Sequence, residues 1–351
     1  MLKLISEFEF FQTNNMEPIY LGEENGRCLF CNHPYSPEKF KKKAHAVPEF
    51  LGNKNIFFYN ECDSCNKHFG NTIERHFDNF LGIKKTFFKC RGKNGVSTTV
   101  LDKTDHPKQF VEFNPTFNIL QISLSPDTEL VTLNEETCES IIRHKKKPYN
   151  PTWVYKFLVK MALSIMPKDN VREYINLANY VITGDEIPYP ITFDVDEHNN
   201  PTHILAIPDL LIYDEISFSG KIPFPNSKVF LFQKNESDME YYIFSFCIGN
   251  HCLQIPLFSY SSLYKIRYNT LKNSKFKYEI SFPALSDLKL DDSLLSVSSH
   301  AIKSLANNKI VKEESDDLFF SKIKIIKLDE TQLQIQDPKK RKISGKLIPK
   351  T

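Results

Sequence analysis

The sequence predicts an α+β protein: a small cysteine-stapled N-terminal module in the order strand, turn, strand, helix, followed by a mixed α+β C-terminal domain with a largely antiparallel sheet. Three observations predict it. Two C-x-x-C pairs, Cys28/Cys31 and Cys62/Cys65, bracket two short extended runs. Apolar residues then recur at three- and four-residue steps, the period of one helix face. Beyond residue 200, apolar runs of strand length dominate, and two of them meet at a hairpin-like Gly249-Asn250-His251 connection. With 351 residues the chain exceeds one average core, so two principal domains are expected.

Residues 1–27 form an apolar leader segment with no defined element, ending in the turn cluster Gly22-Glu23-Glu24-Asn25-Gly26. The module spans 28–98. Within it Ala44-His45-Ala46-Val47-Pro48 and Ile56-Phe57-Phe58-Tyr59 read as strands separated by the turn Gly52-Asn53-Lys54-Asn55. A helix is expected from Ser64 to Leu81, with Phe69, Ile73, Phe77 and Phe80 on its inner face and Gly82 as its stop. Composition shifts at Arg91 to Pro115 and puts a boundary near residue 100, before a strand at Phe117 to Leu124. The domain at 99–290 contributes helices at Pro151 to Met166 and Asp169 to Ile182, then strands at Ile204 to Tyr213, Lys228 to Gln233, Tyr241 to Ile248 and Cys252 to Phe258. Residues 291–351 are polar and lysine-rich, and the run Pro338-Lys339-Lys340-Arg341-Lys342 reads as a solvated basic tail.

Apolar content of 41% with 25% charged residues describes a water-soluble globular chain, and no apolar stretch is long enough to span a bilayer. Met1 to Phe11 mixes Lys3, Glu7 and Glu9 into its apolar residues and lacks a cleavage site, so a cytoplasmic, reducing compartment is expected. In that setting four ordered thiols argue for metal rather than disulfides, while Cys90, Cys138, Cys247 and Cys252 are scattered. The net charge of +2 does not by itself advertise a nucleic-acid partner. Local clusters do: Lys41, Lys42 and Lys43 precede His45, and Lys84, Lys85, Lys89, Arg91 and Lys93 follow the same region, so Lys41–Lys43, Lys84 and Lys85 are candidate DNA contacts.

Each C-x-x-C pair lets two thiolates face one ion across a tight knuckle, and Cys28, Cys31, Cys62 and Cys65 together complete a tetrahedral zinc site. Zinc held by four protein ligands has no open position, so this ion is structural. Its task is to fasten a motif whose own core is thin.

The order Cys28-x-x-Cys31, Ala44-His45, Cys62-x-x-Cys65-Asn66 resembles the HNH (His-Me finger, ββα-metal) endonucleases, and within them the four-cysteine zinc type of phage endonuclease VII. The phrases running from His45 to Asn53 and from Glu61 to Gly70 are also similar to bacterial HNH nucleases, stand-alone or associated with antiviral defence. The resemblance covers residues 26–82. It implies a metal-dependent endonuclease in a defence or mobile-element setting, which hydrolyses DNA to 5′-phosphate and 3′-hydroxyl ends. His45 is then the general base and Asn66 a ligand of a catalytic divalent cation, Mg²⁺ or Mn²⁺; an imidazole that titrates near neutrality suits proton abstraction from water. One departure matters. Family members often carry an acidic ligand before the histidine, where this chain has Ala44, and Gly70 stands where others place a metal-binding histidine. Glu74 lies two turns beyond Asn66, about 12 Å along a straight helix, and nothing in the spacing selects among Glu49, Glu61 and Asp63. Tyr59, Asn60 and Asn55 are candidates for orienting His45, and His33, His68 and His76 read as structural or surface residues.

The C-terminal domain carries no P-loop, no dinucleotide fingerprint and no Ser-His-Asp pattern. Trp153, Tyr155 and Lys160 on its first helix are candidates for a nucleic-acid face, against which the aromatics read more often as core. By analogy the domain recognises a trigger, enlarges the DNA footprint or mediates homo-oligomerisation. Two rival functions remain: a non-catalytic zinc-dependent nucleic-acid-binding module, and an RNA-directed nuclease.

Overall fold

The computed structural model describes residues 2–10, 17–102, 109–116, 119–124, 129–134, 136, 139–183, 192–195, 201–205, 211–214, 224–236, 239–249, 251–262, 283–285, 297–299, 310–313, 315–320, 324–329, 332–336 and 342–347. Its architecture is α+β, mixing helices with mainly antiparallel sheets. No helix among the described residues is long and apolar enough to cross a membrane.

The largest sheet explains the start of the chain. β1 (Leu2–Glu9) pairs antiparallel with Phe224–Glu236, from Leu2 opposite Lys234 to Glu9 opposite Lys228. The segment read from sequence as an undefined leader is therefore an edge strand. Met239–Gly249, His251–Leu257, Leu211–Asp214 and Val297–Ser299 follow in that order, every pair antiparallel. Lys228 reaches back to Glu7 and Glu9 at 3.3 and 2.8 Å, which fixes the register of the joined ends.

The module starts with β2 (Ile19–Leu21), β3 (Ala44–His45) and β4 (Ile56–Phe58), which form a small sheet with β4 central, β2 parallel to it and β3 antiparallel. The expected helix from Ser64 to Leu81 is two helices, α1 (Asp63–Asn71) and α2 (Ile73–Leu81), broken at Thr72. The cause is local. The Thr72 hydroxyl donates to the His68 carbonyl at 2.6 Å and its N–H turns to the Phe69 carbonyl, so the backbone leaves the helical path at φ −120°, ψ −97°. Gly82 ends α2 at φ +53°, the left-handed stop that a glycine accepts readily. A short α3 (Lys84–Phe87) follows.

α4 (Pro151–Ile165) is capped by the Asn150 side chain, which accepts from the Thr152 N–H at 2.9 Å, and has proline in its first turn. Apart from Trp153 every residue of α4 is buried, the mark of a helix with no solvent face. It lies between α2 and the large sheet. Phe77 of α2 meets Phe157 of α4 at 4.6 Å and Phe246 of the sheet at 5.6 Å between ring centroids, so one apolar core runs from the cysteine cluster through α4 to the sheet. The second helical stretch is α5 (Lys168–Val171), a 3₁₀ turn and α6 (Ile175–Thr183).

Two regions read as irregular contain strands. Thr99–Asp102 and Gln109–Asn114 fall in the Gly/Thr/Asp/Pro-rich stretch, and Ser315–Phe320, Lys324–Asp329, Gln332–Gln336 and Lys342–Leu347 fall in the polar C-terminal region. They return to earlier strands: Ser315–Phe320 pairs with Glu139–Lys145, and Lys342–Leu347 runs parallel to Ile119–Leu124. Pro338, Lys339, Lys340 and Arg341 of the basic run, and Cys138, lie outside the described residues.

Candidate metal centre and active site

The two knuckles meet. Cys28 and Cys31 sit on a tight turn in which Asn32 donates its N–H to the Cys28 carbonyl at 2.9 Å and takes φ +55°. Cys62 caps α1 and Cys65 lies in its first turn. The Cys28 and Cys65 sulfurs are 3.8 Å apart, those of Cys31 and Cys62 3.6 Å, and all four lie within 4.8 Å of one another. A tetrahedron of thiolates about 2.3 Å from a zinc ion has edges of about 3.8 Å, so the cluster has the dimensions and the donor set of a zinc site. Hydrogen bonding with Cys65, helped by the Cys62, Cys31 and Phe30 N–H groups, brings the Cys28 thiol down to about 5. That sulfur in turn holds Cys65 well above the ordinary thiol range. A cation among the four sulfurs would let all of them give up their protons.

Asn60 locks the first knuckle to the second. Its amide oxygen accepts the Glu23 N–H at 2.7 Å, and its amide nitrogen donates to the Glu23 and Arg27 carbonyls. Asn55 ties the turn to the Glu17 carbonyl at 3.0 Å, and Tyr59 is stacked on Tyr20. None of these three contacts His45 directly.

The residue that does is Asn53, fully buried in the turn between β3 and β4. Its amide oxygen accepts the Ile56 and Asn55 N–H groups at 2.9 and 3.2 Å, which settles the orientation of the amide. Its nitrogen donates to the Val47 and Ile56 carbonyls and stands 3.4 Å from His45 Nδ1. Sequence reading saw Asn53 only as a turn residue; the Gly52-Asn53 pair next to an apolar strand was the available signal. His45 is half-buried. Burial lowers its pKa below the ordinary histidine value, Glu49 raises it, and the ammonium groups of Lys160 and Lys54 lower it further.

Lys160, weighed from the sequence only as a nucleic-acid contact, is instead buried beside His45. From the middle of α4 its ammonium donates to the His45 carbonyl at 2.9 Å and lies 3.0 Å from Glu61 Oε2, with both side chains fully buried. Apart from this ion pair neither Glu61 oxygen receives a hydrogen bond. Burial pushes the Glu61 carboxyl up to about 7, against the pull of Lys160.

The carboxylates near the module sort themselves. Glu49 pairs with Lys54 at 2.6 Å, and Asp63 accepts the Lys42 and Lys41 N–H groups at 2.9 and 3.3 Å. Glu74 is different. Its Oε2 lies 3.8 Å from where a Cβ at position 70 would stand, back across the break at Thr72. Gly70 is in turn one helical turn from Asn66. Burial raises the Glu74 carboxyl and Lys160 opposes that rise.

The basic candidates divide. Lys41, Lys42 and Lys43 are exposed, whereas Lys84 is buried and Lys85 is ion-paired with Asp78. The Lys84–Lys85 run is therefore not a surface patch, because α3 turns Lys84 toward the interior. His33 is bonded to Lys39 at 2.7 Å, and His68 stands at the surface against Phe69. His76 accepts the Asn150 N–H at 2.8 Å while its ring meets Trp153. Tyr155 is buried in the core, as expected.

Two outcomes follow from these contacts. Cys62→Ser should lose tightly held zinc, measured by elemental analysis, and melt the module, because structural zinc free energy is folding free energy; undiminished zinc would break the four-sulfur assignment. Lys160→Met should cost about 3–5 kcal/mol by leaving Glu61 alone, and adding Glu61→Leu should restore most of it. The single variant's deficit should grow as pH rises past about 7, where the parent ionises Glu61 but the variant must keep it protonated. Equal melting of single and double variants at all pH values would show that the pair is not coupled.

No curated protein and no solved structure matches the chain significantly. A family model does match part of it: residues 28–81 fit the family described as HNH endonuclease. The matched segment contains both cysteine pairs, His45, Asn53 and Asn66. Residues 28–81 are thus similar to the HNH nuclease family and carry a four-cysteine cluster suited to zinc.

Proposed function

We propose that the chain is a metal-dependent endonuclease that hydrolyses DNA phosphodiester bonds, with His45 as general base, acting as a defence or mobile-element effector. The observation that carries this reading is the imidazole itself. It stands between the two knuckles of an HNH module and beside Asn53, and its pKa is depressed, so it is neutral at cellular pH. Both Asn53 amide hydrogens are taken by the Val47 and Ile56 carbonyls, so the amide nitrogen 3.4 Å from Nδ1 holds the ring in place without setting which ring nitrogen carries the proton. The neutral ring keeps one basic lone pair, and the nitrogen that bears it meets the attacking water. His45 removes a proton from the attacking water as the new O–P bond forms, and the bond from phosphorus to the 3′ oxygen breaks.

The donors fit Mg²⁺ or Mn²⁺. Asn66 and Glu74 offer hard oxygen atoms, Gly70 leaves space between them, and Glu61 and Glu74 place two carboxylates around the single ammonium of Lys160. Bound there, a divalent cation would neutralise charge on the phosphate and on the departing oxygen. The cysteine cluster would hold structural zinc, and Lys41–Lys43 would meet phosphates.

The test compares the full chain with His45→Ala on single-stranded circular and supercoiled DNA in Mg²⁺. The expected loss is about 10²- to 10⁴-fold, with the mutant still folded and zinc-loaded. Because protonated imidazole cannot accept a proton, cleavage should rise with pH and level off, its midpoint below the ordinary histidine value of about 6.5. Equal cleavage by both proteins, or by neither, would end the proposal. Independently of activity, Asn66→Ala and Glu74→Gln should each weaken Mn²⁺ binding about tenfold or more, measured by calorimetry on zinc-loaded protein. Unchanged titrations would remove them as ligands.

A further inference from the structure

The outer face of the module's small sheet carries a row of rings that the proposed chemistry does not use. Register sets Tyr20 opposite Phe57 and Phe57 opposite His45, so the three lie in line across β2, β4 and β3. Side chains alternate along a strand, and Ala44, Ile56 and Phe58 are the ones that enter the core. Tyr20, Phe57, His45 and also Tyr59, two residues beyond Phe57, are left half-buried. Ring centroids are spaced 4.7 Å from His45 to Phe57, 5.4 Å from Phe57 to Tyr20 and 4.9 Å from Tyr20 to Tyr59, with the last two planes only 16° apart. The Lys43 ammonium hangs over the middle of the row, 5.4 Å from the Tyr20 ring and 5.7 Å from Phe57. Lys41 and Lys42 are exposed beside it.

Cross-strand aromatic pairs stabilise a sheet by about 0.2–1 kcal/mol each, which accounts for one pair but does not call for a row that runs to the general base with three lysines along it. Aligned rings with adjacent ammonium groups are what a nucleic-acid strand with unpaired bases needs: bases stack on rings and phosphates meet lysines. A duplex cannot use them, because its base faces are covered by their neighbours.

We infer that this face binds an unpaired nucleic-acid strand, with a base stacked on Tyr59, the end ring of the row that Tyr20 backs, and the strand's backbone along Lys41–Lys43, so that a phosphodiester is led to His45. The direction of travel rests on the reading of His45 as the reacting group; the binding surface itself does not.

The experiment is fluorescence anisotropy on the full-length, zinc-loaded His45→Ala chain with four labelled probes of equal length: oligo-deoxythymidine, oligo-uridine, an abasic deoxyribose strand and a DNA duplex. A base-bearing strand should bind about tenfold or more tightly than the abasic strand and the duplex. Tyr59→Ser and Tyr20→Leu should each weaken that strand about fivefold or more while leaving abasic binding alone. Lys43→Gln should weaken both alike. The deoxy and ribo arms assign the sugar. Equal binding of abasic and base-bearing strands, absence of strand binding, or tyrosine variants that melt as the parent does and bind as the parent does would each overturn the inference. The base-against-abasic comparison needs no ring substitution, so a misfolded variant cannot decide the matter. Strand binding without cleavage by the parent chain would sink the nuclease reading alone, and cleavage without base-dependent binding would sink this one alone.

Discussion

Four sulfurs within 4.8 Å of one another pin the first turn of α1 to the loop that begins at Cys28, and the rest of the site is placed from that staple. The cluster sets where α1 starts, hence where Asn66 stands. It also fixes Asn60, which joins the two knuckles, and so the end of β4 across which His45 is registered. A segment as short as 28–81 cannot bury enough apolar surface to hold such geometry alone. The cysteine cluster at one end and α4 at the other supply what is missing, and Phe77 shows how: its ring meets both Phe157 and Phe246, so the module shares one core with α4 and the sheet.

The legible parts of this molecule are those written in local spacing. The cysteine pairs declare themselves at three-residue steps, Gly82 marks a helix end, and Asn150-Pro151 announces α4 before its apolar run begins. His45 is legible by its position between the knuckles. What was not legible depends on distance or on choosing among equals. Asn53, Asn55 and Asn60 all sit in one stretch with the chemistry to orient a histidine, and only the folded turn shows that Asn53 faces it. Lys160 meets the His45 carbonyl from 115 residues away. The pairing of β1 with Phe224–Glu236 is longer still, and near the C-terminus the alternation of Gln332-Leu333-Gln334-Ile335-Gln336 is short and set in a lysine-rich stretch that reads as a polar tail. At Thr72 a hydroxyl that bonds back to His68 outweighs a helical period that continues on both sides.

That break has consequences for charge. The Glu74 carboxylate, at the start of α2, lies over Gly70 near the end of α1. Glu61 and Glu74 then share the field of Lys160, and one ammonium does not balance two carboxylates in a medium where desolvation already disfavours ionisation. Burying the Lys160–Glu61 pair carries a desolvation penalty that well-packed apolar residues would avoid. Its retention makes sense as placement: the ammonium holds the carbonyl of the residue proposed to do the chemistry, so α4 and the large sheet packed against it help decide where the imidazole stands.

The same ammonium acts on His45 through space as well. Burial, Lys160 and Lys54 all disfavour the imidazolium before any substrate is present, with only Glu49 opposing them. A phosphodiester brings negative charge toward the ring, and negative charge favours the protonated form. A histidine with an ordinary pKa would be driven upward on binding and would lose its basic lone pair at neutral pH. One that starts depressed rises toward neutrality instead, where a general base combines an available lone pair with the greatest affinity for the proton it must take. The buried Lys160, bonded to the backbone of the proposed base, is placed to prepare the imidazole for the charge that a phosphodiester held by Lys41–Lys43 would bring.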